Sequence, residues 1–574
     1  MLAARRACGF LTMLLPVFSP AWLLAISFSH AQTAVTQSAP DLLLVNGVIY
    51  TGDPARPRAE AVAIRGERIV AVGSTREIRA LAGPHTRVVD LQGRFTMPGF
   101  NDAHVHLANA GQAKLAVDLE GAKSLAEFQQ RIRARLKEYK PGEWITGRGW
   151  DHTLWLEKKF PRRADLDTVS REHPMVFTRV DGHVAVTNSL ALAKAGITRQ
   201  TKDPPGGSIE RDASGEPTGM LKETAMGLVF SSVPPLTPAQ RRRGIELALA
   251  EAAGFGVTSL QDNSTWADFL VYEQLKKEGK LTARITEWLP FLESLPGLQQ
   301  MRRHGGTTDA WLKTGALKAV LDGALGSRTA ALLEPYADDP PNPGIVRIEP
   351  EQLRQMAIER DKAGFQLAFH AIGDAANRLA LDTFAAVRAT NGARDRRFRI
   401  EHAQVVAPQD FARMAGLGVI ASMQPVHESS DMRWAEARLG PERSKGAYAW
   451  RTMLKNKVPM AFGTDYPVEP INPMRGLYAC VTRELPEGGP AGGWQPQEKI
   501  SLDDCIRAYT AAAAYAEFEE GKKGQIKAGQ FADIVVLSAD ITEAAPRQLL
   551  QTEVLQTFVG GHLVYRKQQG CICF

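Results

Sequence analysis

Short apolar runs alternate with helix-like stretches through the centre of this chain. Eight runs have the length of a buried strand, and apolar residues at helical spacing follow them. Strands of this kind are typical of a parallel sheet whose two faces are covered by helices. The predicted strands span residues 96–104, 256–262, 283–291, 314–322, 366–370, 398–402, 418–424 and 459–465. Eight strand–helix units predict an α/β fold with a closed (β/α)8 barrel.

Both ends of the chain carry a different pattern, in which short apolar runs are separated by Gly-containing turns. Runs of this kind cover residues 42–50, 61–73, 529–537 and 554–565. Strands at both ends of the chain predict a small β-sandwich domain that is composed of residues 41–95 and 525–566. The barrel domain, residues 96–524, then lies between the two halves of the sandwich.

The longest interruption of the barrel pattern follows the first predicted strand. It holds one amphipathic helix candidate, residues 124–139, and then segments rich in Trp, Gly and Pro. We expect residues 144–235 to form an inserted subdomain over the mouth of the barrel. Tryptophans in such an insertion line a pocket or fill its core.

The N-terminus has the pattern of an export signal. Two arginines precede an apolar stretch, residues 10–28, and small residues suitable for cleavage follow at Ser29 and Ala31. Pro16 and Pro20 disfavour a membrane-spanning helix. We predict a signal peptide over residues 1–31, no stable membrane span after its cleavage, and a periplasmic or secreted protein. A retained anchor is the alternative.

The charge of the chain argues against a nucleic-acid partner, and its cysteine content argues against a disulfide-stabilised fold. The 574 residues include 69 Lys and Arg against 63 Asp and Glu, a formal net charge of +6. No basic cluster is interleaved with aromatics, so nucleic acid is not an expected partner. We expect a small-molecule substrate and leave a homo-oligomer open. Five cysteines do not make a disulfide framework, and Cys571 and Cys573 form either a frayed end, a bridge or a metal-binding tail.

Residues that can bind a metal lie at the ends of the predicted strands. His104 and His106 share one face of a strand because they are two residues apart, and neutral imidazole is a standard zinc ligand. Lys318 lies in a strand that is covered on both faces, where an ammonium group is unusual. Barrel enzymes hold their chemistry at the C-terminal ends of the strands. We therefore expect six side chains to lie together at one rim of the barrel: His104, His106, Lys318, His370, His402 and Asp465.

The segments around these residues resemble the metal-dependent amidohydrolase superfamily, in the YtcJ-like, amidohydrolase 3 branch that includes N-substituted formamide deformylases. The matching segments are Met-Pro-Gly-Phe-Asn-Asp-Ala-His-Val-His at 97–106 and those at 181–189, 322–330, 370–374 and 463–465. The resemblance covers residues 41 to 566. It implies a (β/α)8 barrel with a terminal β-domain, and it makes the six residues above the metal site.

The resemblance implies hydrolysis of a C–N bond in a non-peptide amide, formamide or carbamoyl-like substrate. A divalent ion, zinc by this donor set, would lower the pKa of its water to about 7, give a metal-activated hydroxide and polarise the carbonyl group. Asp465 would move the proton from that water to the leaving nitrogen. Binuclear members use a carboxylated lysine on the corresponding strand, which implies two ions bridged by Lys318. The alternative is one ion, with Lys318 paired to Asp322 or Asp465.

Other functions and two substrate contacts stay open. The same superfamily includes mononuclear deaminases and lactone or ester hydrolases, and a non-catalytic ligand-binding relative is the alternative from another class. The resemblance places His183 near the site mouth, with a surface-loop histidine as the alternative. Arg328 is a candidate clamp for a substrate carboxylate, with an ion pair to Glu334 or Asp338 as the alternative.

Overall fold

The computed structural model describes residues 38–179, 184–204, 207–326 and 328–568. Several sequence predictions lie outside these described residues: the signal peptide, residues 1–31, and the side chains of His183, Cys571 and Cys573.

Eight parallel strands form a nearly closed barrel, which confirms the predicted fold class. In chain order they are Phe100–Val105, Val257–Asp262, Arg284–Pro290, Leu312–Val320, Leu367–Ala371, Arg399–His402, Ile420–Met423 and Met460–Phe462. Each strand pairs with the next along the chain. Beyond the last strand, the N–H of Asp465 donates to the carbonyl of His104 and the N–H of His106 to that of Tyr466, both at 2.8 Å. These two bonds hold Asp465 beside the histidines of the first strand.

The first predicted barrel strand consists of two strands that belong to different sheets. Phe95–Pro98 pairs antiparallel with Ile534–Leu537 in a terminal sheet, whereas Phe100–Val105 belongs to the barrel. Gly99 joins them, and a Cβ atom at this position would lie 2.2 Å from Cγ2 of Thr258. Only glycine therefore permits the close approach of the chain here. The prediction was wrong because an apolar run does not report a change of sheet.

Helices cover the outside of the barrel. The longer ones are Leu107–Leu115, Pro238–Gly254, Trp266–Lys277, Leu295–Gly305, Pro350–Lys362, Asp374–Asn391, Asp410–Leu417, Pro425–Asp431, Ala435–Ser444, Pro473–Thr482 and Leu502–Ala508. Shorter ones are Trp450–Lys455 and Ala511–Ala516. Leucine, isoleucine, phenylalanine and alanine side chains from strands and helices form one large buried cluster between them. None of the helices within the described ranges is both long and apolar enough to cross a membrane.

Two further sheets flank the barrel in the chain: one is formed by N-terminal strands alone, and the other combines strands from both chain ends. The four-stranded sheet contains Leu42–Val45, Ala61–Arg65, Arg68–Gly73 and Arg87–Asp90. The six-stranded sheet contains Val48–Tyr50, Arg58–Ala59, Phe95–Pro98, Ile534–Leu537, Val554–Val559 and His562–Arg566. Apolar side chains of both sheets share one buried cluster, which is how a sandwich is stabilised. The short helices Thr75–Arg79 and Pro546–Leu549 accompany these strands.

A third additional sheet lies between the first and second barrel strands in the chain. Its strands are Val117–Asp118, Ile145–Trp150, Met175–Arg179, Val184–Thr187, Gly207–Arg211 and Pro217–Glu223. The helix Leu125–Arg135 begins at Ser124, whose hydroxyl accepts the N–H of Glu127. Short helices at Arg163–Asp167, Ser189–Lys194 and Met226–Phe230 complete the segment. Trp150 and Trp155 are buried in its core, so they stabilise the insertion rather than line a pocket.

Candidate metal centre

Donor side chains from distant parts of the chain meet at the C-terminal rim of the barrel. His104, His402 and Asp465 each place a ligand atom within 4.8 Å of the others, and all three residues are buried. Among the described residues, no other three His, Cys, Asp or Glu side chains form such a group. The barrel therefore brings together residues that are separated by more than half of the chain.

Asp465 is the centre of this group. Its Oδ1 lies 3.5 Å from Nε2 of His104 and 3.2 Å from Nε2 of His106. The residue has a φ of +58°, in the left-handed region that non-glycine residues rarely adopt outside functional sites. Burial raises the pKa of Asp465, but the electrostatic interaction with the His104 ring and the contact with His106 lower it well below its usual value. The side chain is therefore a carboxylate at neutral pH.

His104 is oriented by Glu401, a buried carboxylate that is not among the predicted site residues. Its Nδ1 lies 2.7 Å from Oε2 of Glu401, and Nε of Arg399 donates to Oε1 of Glu401 at 2.8 Å. Burial opposes ionisation of Glu401, but the Arg399 charge and the His104 bond lower its pKa to about 2. Burial also lowers the pKa of His104 to about 4. A neutral ring that donates from Nδ1 to a carboxylate leaves Nε2 free to bind a metal.

His402 and His106 are oriented in the same way as His104. Nδ1 of His402 lies 2.8 Å from Oε1 of Gln424, and Nδ1 of His106 lies 2.9 Å from the carbonyl of Asn263. Burial, together with the charge of His370, lowers the pKa of His402 well below its usual value. Each ring therefore has one nitrogen bound to an acceptor and the second nitrogen left for the centre.

Lys318 extends from the fourth barrel strand to the same group of side chains. Its Nζ lies 3.0 Å from Nε2 of His104, and burial lowers its pKa to about 8. No carboxylate of the described residues forms an ion pair with Lys318. Asp322, one of the proposed partners, instead accepts backbone N–H groups from Ala331, Ile372 and Gly373.

A second buried lysine of this strand points to the other end of the barrel. Nζ of Lys313 lies 2.5 Å from Oε1 of Glu519 and 3.9 Å from Oε2 of Glu517. These three side chains line a cavity of about 500 Å³ at the N-terminal end of the barrel, where the metal-site histidines are absent from the lining. Of the two lysines, only Lys318 is therefore positioned to take part in the metal centre.

Two of the predicted site residues, His370 and Arg328, have partners outside the group of His104, His402 and Asp465. Nε2 of His370 lies 3.1 Å from the carbonyl of Gly323 and 3.4 Å from Oδ1 of Asp322, although its ring packs 4.4 Å from that of His402. Arg328 binds both carboxylate oxygens of Asp338, at 3.1 and 2.9 Å. His183 lies outside the described residues.

The donor set fits a divalent ion of the zinc class. Donor atoms around a tetrahedral ion with bonds of ~2.0–2.1 Å lie about 3.4 Å apart, and the Asp465 distances of 3.5 and 3.2 Å match this spacing. Oδ1 of Asp465 is also buried and receives no hydrogen bond of normal geometry from the part of the chain that the structure describes. A buried carboxylate oxygen without a partner is unfavourable, and coordination of a cation would remove that cost.

The sequence is similar over most of its length to a known protein family and to several individual proteins. A family model described as "Amidohydrolase family" matches residues 87–565. "Protein LONG AFTER FAR-RED 3" of Arabidopsis thaliana is 37% identical over 92% of this chain and 91% of its own. "Putative amidohydrolase YtcJ" of Bacillus subtilis (strain 168) is 32% identical, over 91% and 98%. "N-substituted formamide deformylase" of Arthrobacter pascens is 30% identical, over 92% and 98%. These matches confirm the resemblance that the motifs indicated.

Solved structures show the same architecture. An uncharacterized metal-dependent hydrolase from Pyrococcus horikoshii OT3 superposes with a TM-score of 0.73 and is 28% identical, and the match covers 88% of this chain and 99% of that one. Most of the architecture of this chain is thus similar to that of a protein described as a metal-dependent hydrolase.

Proposed function

The chain belongs to the amidohydrolase family, and on that premise we propose that it hydrolyses a C–N bond in a non-peptide amide, formamide or carbamoyl-like substrate. The observation that carries the proposal is the buried group of His104, His402 and Asp465 at the catalytic rim of the barrel. The deformylase relative supports a formamide or a similar amide as the substrate class.

The residues of the rim have separable tasks in this reaction. His104, His106, His402 and Asp465 would hold a divalent ion, zinc by its donors, which supplies Lewis acidity and lowers the pKa of a bound water to about 7. Asp465 accepts the proton of the attacking water and passes it to the leaving nitrogen as the C–N bond breaks. Glu401 and Gln424 keep the imidazole rings in the required tautomer and orientation.

The experiment that tests this function is a substrate panel with controlled metal content. N-formyl, N-acyl and carbamoyl compounds are assayed after treatment with a chelator and again after addition of zinc. We expect turnover of at least one of them, its loss on chelation and its recovery with metal. A lactone, a simple ester and an amino-heterocycle complete the panel. Turnover restricted to those three compounds would contradict C–N amide hydrolysis and support the ester hydrolase or deaminase alternative.

We further propose that Lys318 carries a carbamate that bridges two ions. Its amine is buried, lacks an acidic partner within the described part of the chain and lies beside His104. Burial favours the neutral amine, whose nitrogen bonds to the carbon of CO2 and releases a proton to solvent. The carbamate would then offer two oxygens as ligands for the two ions.

Metal analysis of Lys318→Ala tests the bridge. We expect about two ions per chain in the wild type and fewer in the variant, because the bridging oxygens are lost. Short carboxylic acids should restore part of its activity. Lys313→Ala is the matched control, since this lysine is equally buried but faces the other end of the strand. One ion per chain in wild type and Lys318→Ala alike, without rescue, would refute the bridge and leave a mononuclear hydrolase.

A further inference from the structure

His427 faces the candidate centre from a helix that the strand-end pattern did not select. It belongs to Pro425–Asp431, the helix that follows the seventh barrel strand. Its Nε2 lies 3.7 Å from Oδ2 of Asp465, and its ring lies nearly parallel to that of His402, with centroids 5.9 Å apart. This nitrogen is buried and has no hydrogen-bond partner among the described residues. A buried polar atom without a partner beside a catalytic site requires an explanation.

The two oxygens of Asp465 face different groups. Oδ1 faces the imidazoles of His104 and His106, whereas Oδ2 faces His427. His427 is not a member of the compact donor group. It therefore lies on the side of the carboxylate that is not directed at the metal ligands of the first strand.

Nε2 of His427 and Oδ2 of Asp465 lie next to each other without forming a hydrogen bond. At 3.7 Å, Nε2 and Oδ2 are too far apart for a hydrogen bond between N–H and O. Nε2 is therefore left available to a substrate oxygen that approaches beside Oδ2, off the line between the two atoms. Such an atom would sit next to the proton-accepting oxygen, where the reacting group of the substrate has to be.

The helix that carries His427 is held rigidly on both sides. At its start, Gln424 accepts from Nδ1 of His402 through its side chain and from the N–H of His427 through its carbonyl. At its end, Asp431 accepts Nε2–H of Gln404 at 2.7 Å and the hydroxyl of Tyr448. The position of the imidazole is therefore set before a substrate binds, as an effective donor requires.

We propose that His427 is a further catalytic residue, which donates its Nε2–H to the carbonyl oxygen of the substrate. This inference rests on the proposed C–N hydrolysis. When water adds to the carbonyl carbon, the C=O double bond becomes a single bond and negative charge develops on that oxygen. A fixed donor in a buried site stabilises the charge more than it stabilises the uncharged substrate, and loss of one such donor costs about 10²–10³-fold in kcat.

The test compares His427→Ala and His427→Gln with wild type and with His173→Ala. His173 is a matched control because its Nε2 is also buried without a partner, but it lies in the inserted segment and its Nδ1 is bonded to Ser170. The probes are the best N-formyl or N-acyl compound of the panel and a phosphonamidate analogue, whose charged oxygen resembles the oxyanion. Metal content and circular dichroism are measured for every variant.

We expect His427→Ala to keep its fold and its metal, to lose about 10²–10³-fold in kcat with a small change in KM, and to bind the phosphonamidate more weakly by a similar factor. His427→Gln should recover part of both losses because its amide also donates. His173→Ala should behave as wild type.

Other outcomes are equally decisive. Wild-type kcat and phosphonamidate affinity in both His427 variants would overturn the proposal, and so would loss of metal in either of them, because His427 would then be a ligand. Failure of the wild type to hydrolyse any panel compound would instead overturn the proposed function. The two failures are thus distinguished by the wild-type measurement.

Discussion

Replacement of both His104 and His106 by asparagine is expected to abolish hydrolysis and metal binding while the protein stays folded. Both imidazoles point Nε2 at Oδ1 of Asp465, at 3.5 and 3.2 Å, so the double substitution removes two of the proposed ligands at once. Asparagine retains a polar side chain of similar size, which limits the structural cost at these two positions. The measurements are metal content, initial rate on the best panel substrate and circular dichroism.

The control for this variant is His304→Asn. That histidine is half-exposed at the end of an outer helix, where it pairs with Glu273 and contacts neighbouring aromatic rings. It should retain wild-type metal content and activity. Full activity in the double variant, or in a wild-type sample shown to be free of metal, would refute a metal-dependent mechanism.

Substitution of Asp465 by asparagine is expected to lower kcat by ~10²–10⁴-fold, the usual effect of losing a general base. The change keeps the shape of the side chain but removes the negative charge that accepts the proton. KM should change less than kcat, since the substrate is also positioned by other groups. Both constants are measured at saturating metal, so that weaker coordination by the amide oxygen does not limit the rate.

Asp410→Asn is the matched control for this prediction. Asp410 is as deeply buried, but its carboxylate binds Arg378 and Arg413 on the outside of the barrel. This variant can lose stability, yet its kcat should stay near that of the wild type. Near-normal turnover of Asp465→Asn would show that the proton follows another route.

The sequence was sufficient to predict the barrel and the residue types of its rim. Apolar runs of strand length, repeated eight times with helices between them, report burial on both faces without reference to any distant residue. His104 and His106 share a face by the period of two along a strand. The start of the helix Leu125–Arg135 is also set by nearby residues, because the hydroxyl of Ser124 accepts the N–H of Glu127, three residues later in the chain.

The local sequence pattern did not predict the role of a residue where that role depends on a tertiary contact or on a change of sheet. The run across Gly99 is continuous in hydrophobicity, yet its two halves enter different sheets. Lys313 and Lys318 occur in one strand, roughly 16 Å apart at about 3.3 Å per residue, and they contact different groups at its two ends. Which lysine meets the histidines depends on the direction of the strand within the barrel.

What the sequence by itself determined was therefore the set of elements and the chemistry that their ends can support. Only the tertiary structure decided that Glu401 orients His104 across 297 positions of the chain, and that His427 faces Asp465 while Arg328 binds Asp338. The physical reason is that periodicity is a property of consecutive residues, whereas convergence at the rim depends on the register of eight strands. That register is set by packing and by backbone hydrogen bonds between segments that are far apart in the chain.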